Sequence, residues 1–120
     1  MTDRPTTAPV CLFIYNRPDT TEPVFERIAE AKPPKLYVFA DGPKDGDAED
    51  GARCRETRDV IDVDWDCEVH REYATSNLGL KERWVTGFER LFTAEERAII
   101  LEDDIVASPT FFRFCDELLD

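Results

Sequence analysis

Two short, uninterrupted apolar runs, VCLFIY at 10–15 and LYVFA at 36–40, constrain the fold of this chain more than any other feature. Each is too short to be a core helix and is bounded by turn residues: Pro9 and Asn16-Arg17-Pro18 flank the first, Pro33-Pro34 and Asp41-Gly42-Pro43 the second. Runs of this kind read as strands covered on both faces, the condition of a parallel sheet lying between helices. Between them, Val24, Phe25, Ile28 and Ala29 recur at helical spacing, with Thr20 or Thr21 as cap and Pro23 in the first turn.

The same alternation continues. A weaker helical pattern runs from about 52 to 63, and CEVHREY at 67–73 alternates like a third strand nearer an edge. Trp84, Val85, Phe88, Leu91 and Phe92 form a helical stripe, and AIIL at 98–101 is the fourth apolar run. Ser108-Pro109 opens a last helix expected to turn Phe111, Phe114, Cys115 and Leu118 inward. Four β-α units joined by right-handed crossovers predict one α/β domain with a Rossmann-like, mostly parallel sheet flanked by helices; strand four is expected beside strand one. The acidic stretch KDGDAEDG at 44–51 reads as a solvated connection without a function.

Charge narrows the partners. Lys and Arg number 15 against 27 Asp and Glu, a formal net charge of −12, which argues against nucleic acid because a phosphate backbone is gripped by basic surface. Cys11, Cys54, Cys67 and Cys115 have no CxxC spacing, and with one histidine in the chain a zinc site is not expected. No apolar run approaches the ~20 residues that cross a bilayer, and the N-terminus lacks the pattern of a signal peptide, so no transmembrane segment is expected and the cytoplasm is the expected compartment.

Doubly wound sheets bind ligands at the carboxyl ends of their strands, where strand order reverses. The polar residues at those ends are Asn16-Arg17, Asp41-Gly42, the segment around Asn77-Leu78-Gly79, and the triplet Glu102-Asp103-Asp104. With 27 acids among 120 residues a triplet carries no information by itself. Its position does, because carboxylates at the end of a buried strand repel one another unless a hard divalent cation joins them.

LEDD after an apolar strand, YNRPD after strand one, FADGP after strand two and SNLGLKERW entering helix three together resemble the N-terminal half of a GT-A glycosyltransferase. The likeness is to family-2-like bacterial sugar transferases, with a Glu-Asp-Asp variant of the DxD motif similar to that of N-acetylglucosaminyltransferase I. The resemblance implies transfer of a sugar from a nucleoside diphosphate sugar to an acceptor hydroxyl, assisted by Mn²⁺ or Mg²⁺. It implies that Asp104 binds the metal and that Glu102 and Asp103 lie near the ribose and donor sugar. It further implies that Arg17 and Asp41 contact the nucleotide and that Lys81 contacts the nucleotide or diphosphate.

Simpler roles stand beside these. Arg17 pairs with Asp19, Asp41 is the turn residue before Gly42, Lys81 is a surface helix residue, Asn77 and Gly79 shape a loop, and His70 is only a strand residue. The general base is not found, and the chain ends in FCDELLD inside a helix with no glycine or proline terminator. The expectation is therefore the nucleotide-sugar-binding part of a longer domain, residues 1–120, without the acceptor-binding part, and self-associating through an exposed sheet edge. The alternatives are a non-catalytic nucleotide-sugar-binding relative and a Mg-dependent phosphoryl-transfer domain, whose key acids would follow strand one, where this chain has Asn16-Arg17.

Overall fold

The computed structural model describes residues 6–104 and 109–119. Eight elements alternate along the chain: β1 (Val10–Ile14), α1 (Pro18–Ala31), β2 (Lys35–Ala40), α2 (Ala48–Asp59), β3 (Glu68–Tyr73), α3 (Leu80–Ala94), β4 (Ile99–Glu102) and α4 (Pro109–Leu119). The four strands form one sheet in the order β3-β2-β1-β4, and every pairing is parallel. This is a small α/β domain compatible with a Rossmann-like arrangement. Strand four does lie beside strand one, with Val10 opposite Ile99 and Phe13 opposite Glu102. The order runs outward from β1 to β3 and then returns to the other side of β1, so the reversal falls between the exits of β1 and β4.

The two faces of the sheet are covered differently. Val10, Leu12 and Ile14 of β1, Leu36 and Val38 of β2, and Ile99 and Leu101 of β4 join Val24, Phe25 and Ile28 of α1 and Phe112 of α4 in one cluster. On the opposite face Cys11, Phe13, Tyr37 and Phe39 meet Leu91, Trp84 and Phe88 of α3. Gly87 lets α3 settle onto that face, since a Cβ there would lie 2.5 Å from Cε1 of Phe13.

Three local expectations are corrected. Helix α1 begins at Pro18 with Arg17 as its N-cap, so Pro23 lies inside the helix rather than in its first turn, and neither Thr20 nor Thr21 caps it. Thr20 Oγ1 instead donates back to the Arg17 carbonyl, and Thr21 is buried. Helix α2 starts at Ala48, within the stretch expected to be loop, because Asp47 accepts from the Asp50 amide and caps it. Its buried residues are Asp50, Cys54 and Thr57, a helical stripe with no large apolar side chain, so the weak pattern at 52–63 marked the helix but set both of its ends about four residues too late.

Helix α4 turns Phe112 inward and packs Cys115 and Leu119 against the core, while Phe111, Phe114 and Leu118 are exposed. Its apolar residues lie on more than one side, and a sequence pattern of that kind does not choose the buried face. The expected cap at Ser108 lies outside the described residues. Among the described residues no helix is long and apolar enough to cross a membrane.

A polar tie closes the lower end of α3. Glu95, its C-cap residue, accepts from the Tyr37 hydroxyl at 2.6 Å and from the Lys35 ammonium at 3.1 Å, both on β2. Burial works to raise the Glu95 pKa, but the bonds from Tyr37 and Lys35 outweigh it and hold the carboxyl below its ordinary value. A depressed carboxyl binds fewer protons folded than unfolded, so its stabilisation is present above the ordinary glutamate pKa and is lost as pH falls below it. Glu95→Gln should therefore cost on the order of 1 kcal/mol at pH 7 and flatten the acid limb of the stability–pH curve. Urea melts of parent and variant at pH 7, 5 and 3.5 test this; a constant difference across that range would refute it.

Candidate functional site

The carboxyl ends of the four strands gather most of the residues singled out from the sequence. The end of β1 continues into Tyr15, Asn16 and Arg17, and the end of β4 into Asp103 and Asp104, the two exits flanking the point where strand order reverses. Glu102 is the last residue of β4, opposite Phe13, and so shares the α3 side of the sheet. Asp104 is exposed and Asp103 is half-buried.

Asp103 reports the electrostatics of this corner. Burial raises its pKa, the Arg17 guanidinium opposes that, Asp104 raises it further, Arg83 opposes again, and Glu102 adds a last increment upward. The net shift is upward: the carboxylate is desolvated and crowded by two like charges, and two arginines only partly compensate. Arg17, exposed at the start of α1, thus lies within electrostatic reach of the triplet, and no ion pair joins it to Asp19 among the described residues.

Arg83 was not singled out from the sequence. Lys81, which was, lies in the first turn of α3, exposed and with no hydrogen bond or ion pair among the described residues. Two residues further along, Arg83 turns inward. Its Nη1 donates to the Ile14 carbonyl at the end of β1 at 3.3 Å, and its guanidinium lies 6.0 Å from the centroid of the Tyr15 ring. Its Nε is buried with no acceptor among the described residues. A cleft of about 440 Å³ opens beside it between α3 and the exits of β2 and β3, lined by Phe39, Tyr73, Leu78, Arg83, Gly87 and Arg90. Basic residues recur through this helix, and a sequence alone does not show which one faces the strand ends.

Asp41 is placed at the end of β2 as expected, but its carboxylate is engaged within the protein. Oδ1 accepts from the amides of Gly42 at 2.8 Å and Leu78 at 2.7 Å, and Oδ2 from the amide of Gly79 at 3.2 Å and from Asn77 Nδ2 at 3.3 Å. A carboxylate has about four lone-pair positions, so these four donors fill it. Asn77 and Gly79 are loop-shaping residues in a literal sense, since both are bound to Asp41. Gly42 is required beneath them, because a Cβ there would lie 2.5 Å from the backbone of Ser76.

A second buried carboxylate, Asp50, was missed. It accepts from the Tyr15 hydroxyl at 2.5 Å, from Asn16 Nδ2 at 2.7 Å and from the Lys44 amide at 2.8 Å. Burial pushes its pKa up, but the bonds from Tyr15, Lys44 and Asn16 prevail and the net direction is down. The available signal in the sequence was Asp47 followed three residues later by Asp50, a cap and a first-turn acid.

Among the described residues no three His, Cys, Asp or Glu side chains gather as a self-sufficient metal site. The donor set at the exit of β4 nevertheless fits a hard divalent ion held by one protein carboxylate and by ligand oxygens. It offers an exposed oxygen donor in Asp104 and a crowded neighbour in Asp103 whose repulsion a cation would relieve. His70 stacks on Tyr37 with centroids 4.6 Å apart and pairs with Glu68, a strand-edge arrangement away from this corner. Comparisons of the chain with protein-family models, curated proteins and solved structures find no match.

Proposed function

We propose that this chain is the nucleotide-sugar-binding part of a metal-dependent glycosyltransferase of the GT-A type. The observation that carries the reading is the mixed corner at the point of strand reversal. Glu102, Asp103 and Asp104 leave β4 there, and Arg17 and Arg83 both act on Asp103. Carboxylates and guanidiniums side by side suit a ligand that is itself an anion bridged by a divalent cation, as a nucleoside diphosphate is.

In this reading Asp104 holds Mn²⁺ or Mg²⁺, and Glu102 and Asp103 face the ribose and donor sugar. Bound there, the ion would supply Lewis-acid neutralisation of the departing diphosphate. Arg17 and Arg83 supply fixed positive charge to the phosphates. Asp41 serves by holding the 77–79 loop against the exit of β2. Lys81 contributes to the rim only.

Calorimetric titration with uridine and guanosine diphosphates, in Mn²⁺ and in chelator, tests the assignment. The parent should bind at least one nucleotide more tightly with Mn²⁺. Asp104→Ala should lose that metal-dependent increment, tenfold or more, and keep the affinity seen in chelator. Arg83→Ala should lose affinity in both conditions. No Mn²⁺ effect in the parent, or equal losses by both variants in both conditions, would overturn the metal site.

A further inference from the structure

Asp41 and Asp50 are the two buried carboxylates among the described residues. Asp50 draws its donors from two separate strand exits. Tyr15 and Asn16 belong to the segment leaving β1, and Lys44 to the segment leaving β2. Its own amide donates to the Asp47 carboxylate, which caps α2, so Asp50 is itself fixed in the first turn of that helix. A carboxylate buried only to help pack a helix would be a poor choice, since an apolar side chain would serve without the cost of desolvation. Bonds to three donors on two segments instead fix where those segments stand relative to one another.

The consequence reaches the candidate site through Tyr15. Its hydroxyl is held by Asp50, and Arg83 lies over its ring. The next two residues are Asn16, also held by Asp50, and Arg17, the N-cap of α1 at the exit of β1, the strand that neighbours β4. We infer that Asp50 is a positioning residue of the site, acting through Tyr15 and Asn16 to hold Arg17 and Arg83 at the point of strand reversal. The acidic segment before it, 44–50, is then the support of that site and not a plain connection. The inference rests on the nucleotide-binding reading for its ligand and on the hydrogen bonds of Asp50 and the Arg83–Tyr15 contact for its geometry.

Two readouts separate these dependencies. The first is nucleoside diphosphate affinity of the parent, Asp50→Asn, Tyr15→Phe and the double variant, by calorimetry well below each melting temperature. Positioning predicts a loss of about tenfold in each single variant, the same in Mn²⁺ and in chelator, and a double variant no worse than the poorer single one. A group that only supports α2 would lower the melting temperature and leave affinity unchanged, which would overturn the inference.

The second is amide hydrogen exchange of the ligand-free protein. Asp50→Asn should raise exchange at 15–17 and at Lys44 tenfold or more over the parent, with the interiors of β1 and β2 unchanged. Tyr15→Phe, which removes one hydroxyl and keeps the ring, should do the same at 15–17 alone. If the parent binds neither nucleotide, the functional reading fails and exchange still decides the positioning role. Unchanged exchange at both segments overturns it.

Discussion

Asp41→Ala is expected to cost about 4 kcal/mol of stability, one of the two largest effects foreseen for a single substitution in this chain. The carboxylate is 2% exposed and accepts from Gly42, Leu78, Gly79 and Asn77. Removing it leaves three backbone amides without an acceptor in a partly buried corner, each costing about 1 kcal/mol or more, besides the side-chain bond. Water reaches the outer two amides more easily than the Gly42 amide, whose bond is buried, which holds the total below the sum of full penalties. The loop released is the one that presses Ser76 onto Gly42 and carries Gly79 at φ 86°, a backbone angle that favours glycine. Asp41→Asn keeps one acceptor oxygen and should cost about half as much. Urea denaturation of the three proteins measures this, and a loss under 1 kcal/mol for the alanine variant would show that the loop stands without its clasp.

Phe13→Ala should cost a similar amount, about 4 kcal/mol, for a different reason. Phe13 is 2% exposed at the middle of the α3 face, its ring stacked on Trp84 at 4.2 Å and flanked by Phe39 at 5.4 Å and Phe88 at 5.8 Å. Gly87 brings the α3 backbone down onto the same ring, so truncation opens a cavity that the helix cannot fill by a small shift. Because α3 also carries Arg83, the loss should reach the candidate site, and nucleotide affinity should fall together with stability. Phe13→Leu, which retains most of the volume, should recover more than half of the difference. A cost below 2 kcal/mol for the alanine variant would mean that Trp84 and Phe88 close over the gap.

The strands were legible because their burial is local information. Parallel strands covered on both faces appear as unbroken apolar runs, and β1, β2 and β4 needed nothing from elsewhere in the chain to be found. Their alternation with helices indicated a parallel sheet, and the pairing of β4 beside β1 brings the acid triplet to the exit of β1. What stayed hidden depends on contacts between distant residues. Helix α2 buries Asp50, Cys54 and Thr57, so its inward face looks polar until Tyr15 and Asn16 are seen to meet it. Asp41 looks like a turn residue or a ligand contact until Asn77, Leu78 and Gly79 arrive at its carboxylate. Gly87 reads as a weak point in α3 until Phe13 is found beneath it. Lys81 and Arg83 are two basic residues about 200° apart around a helix of ~3.6 residues per turn, and only the seating of α3 on the sheet turns one toward the strand ends. Hydrophobic runs record which segments are buried, because that depends on the segment's own side chains. The partner of a buried polar group depends on strand order and helix rotation, which are set by the whole chain.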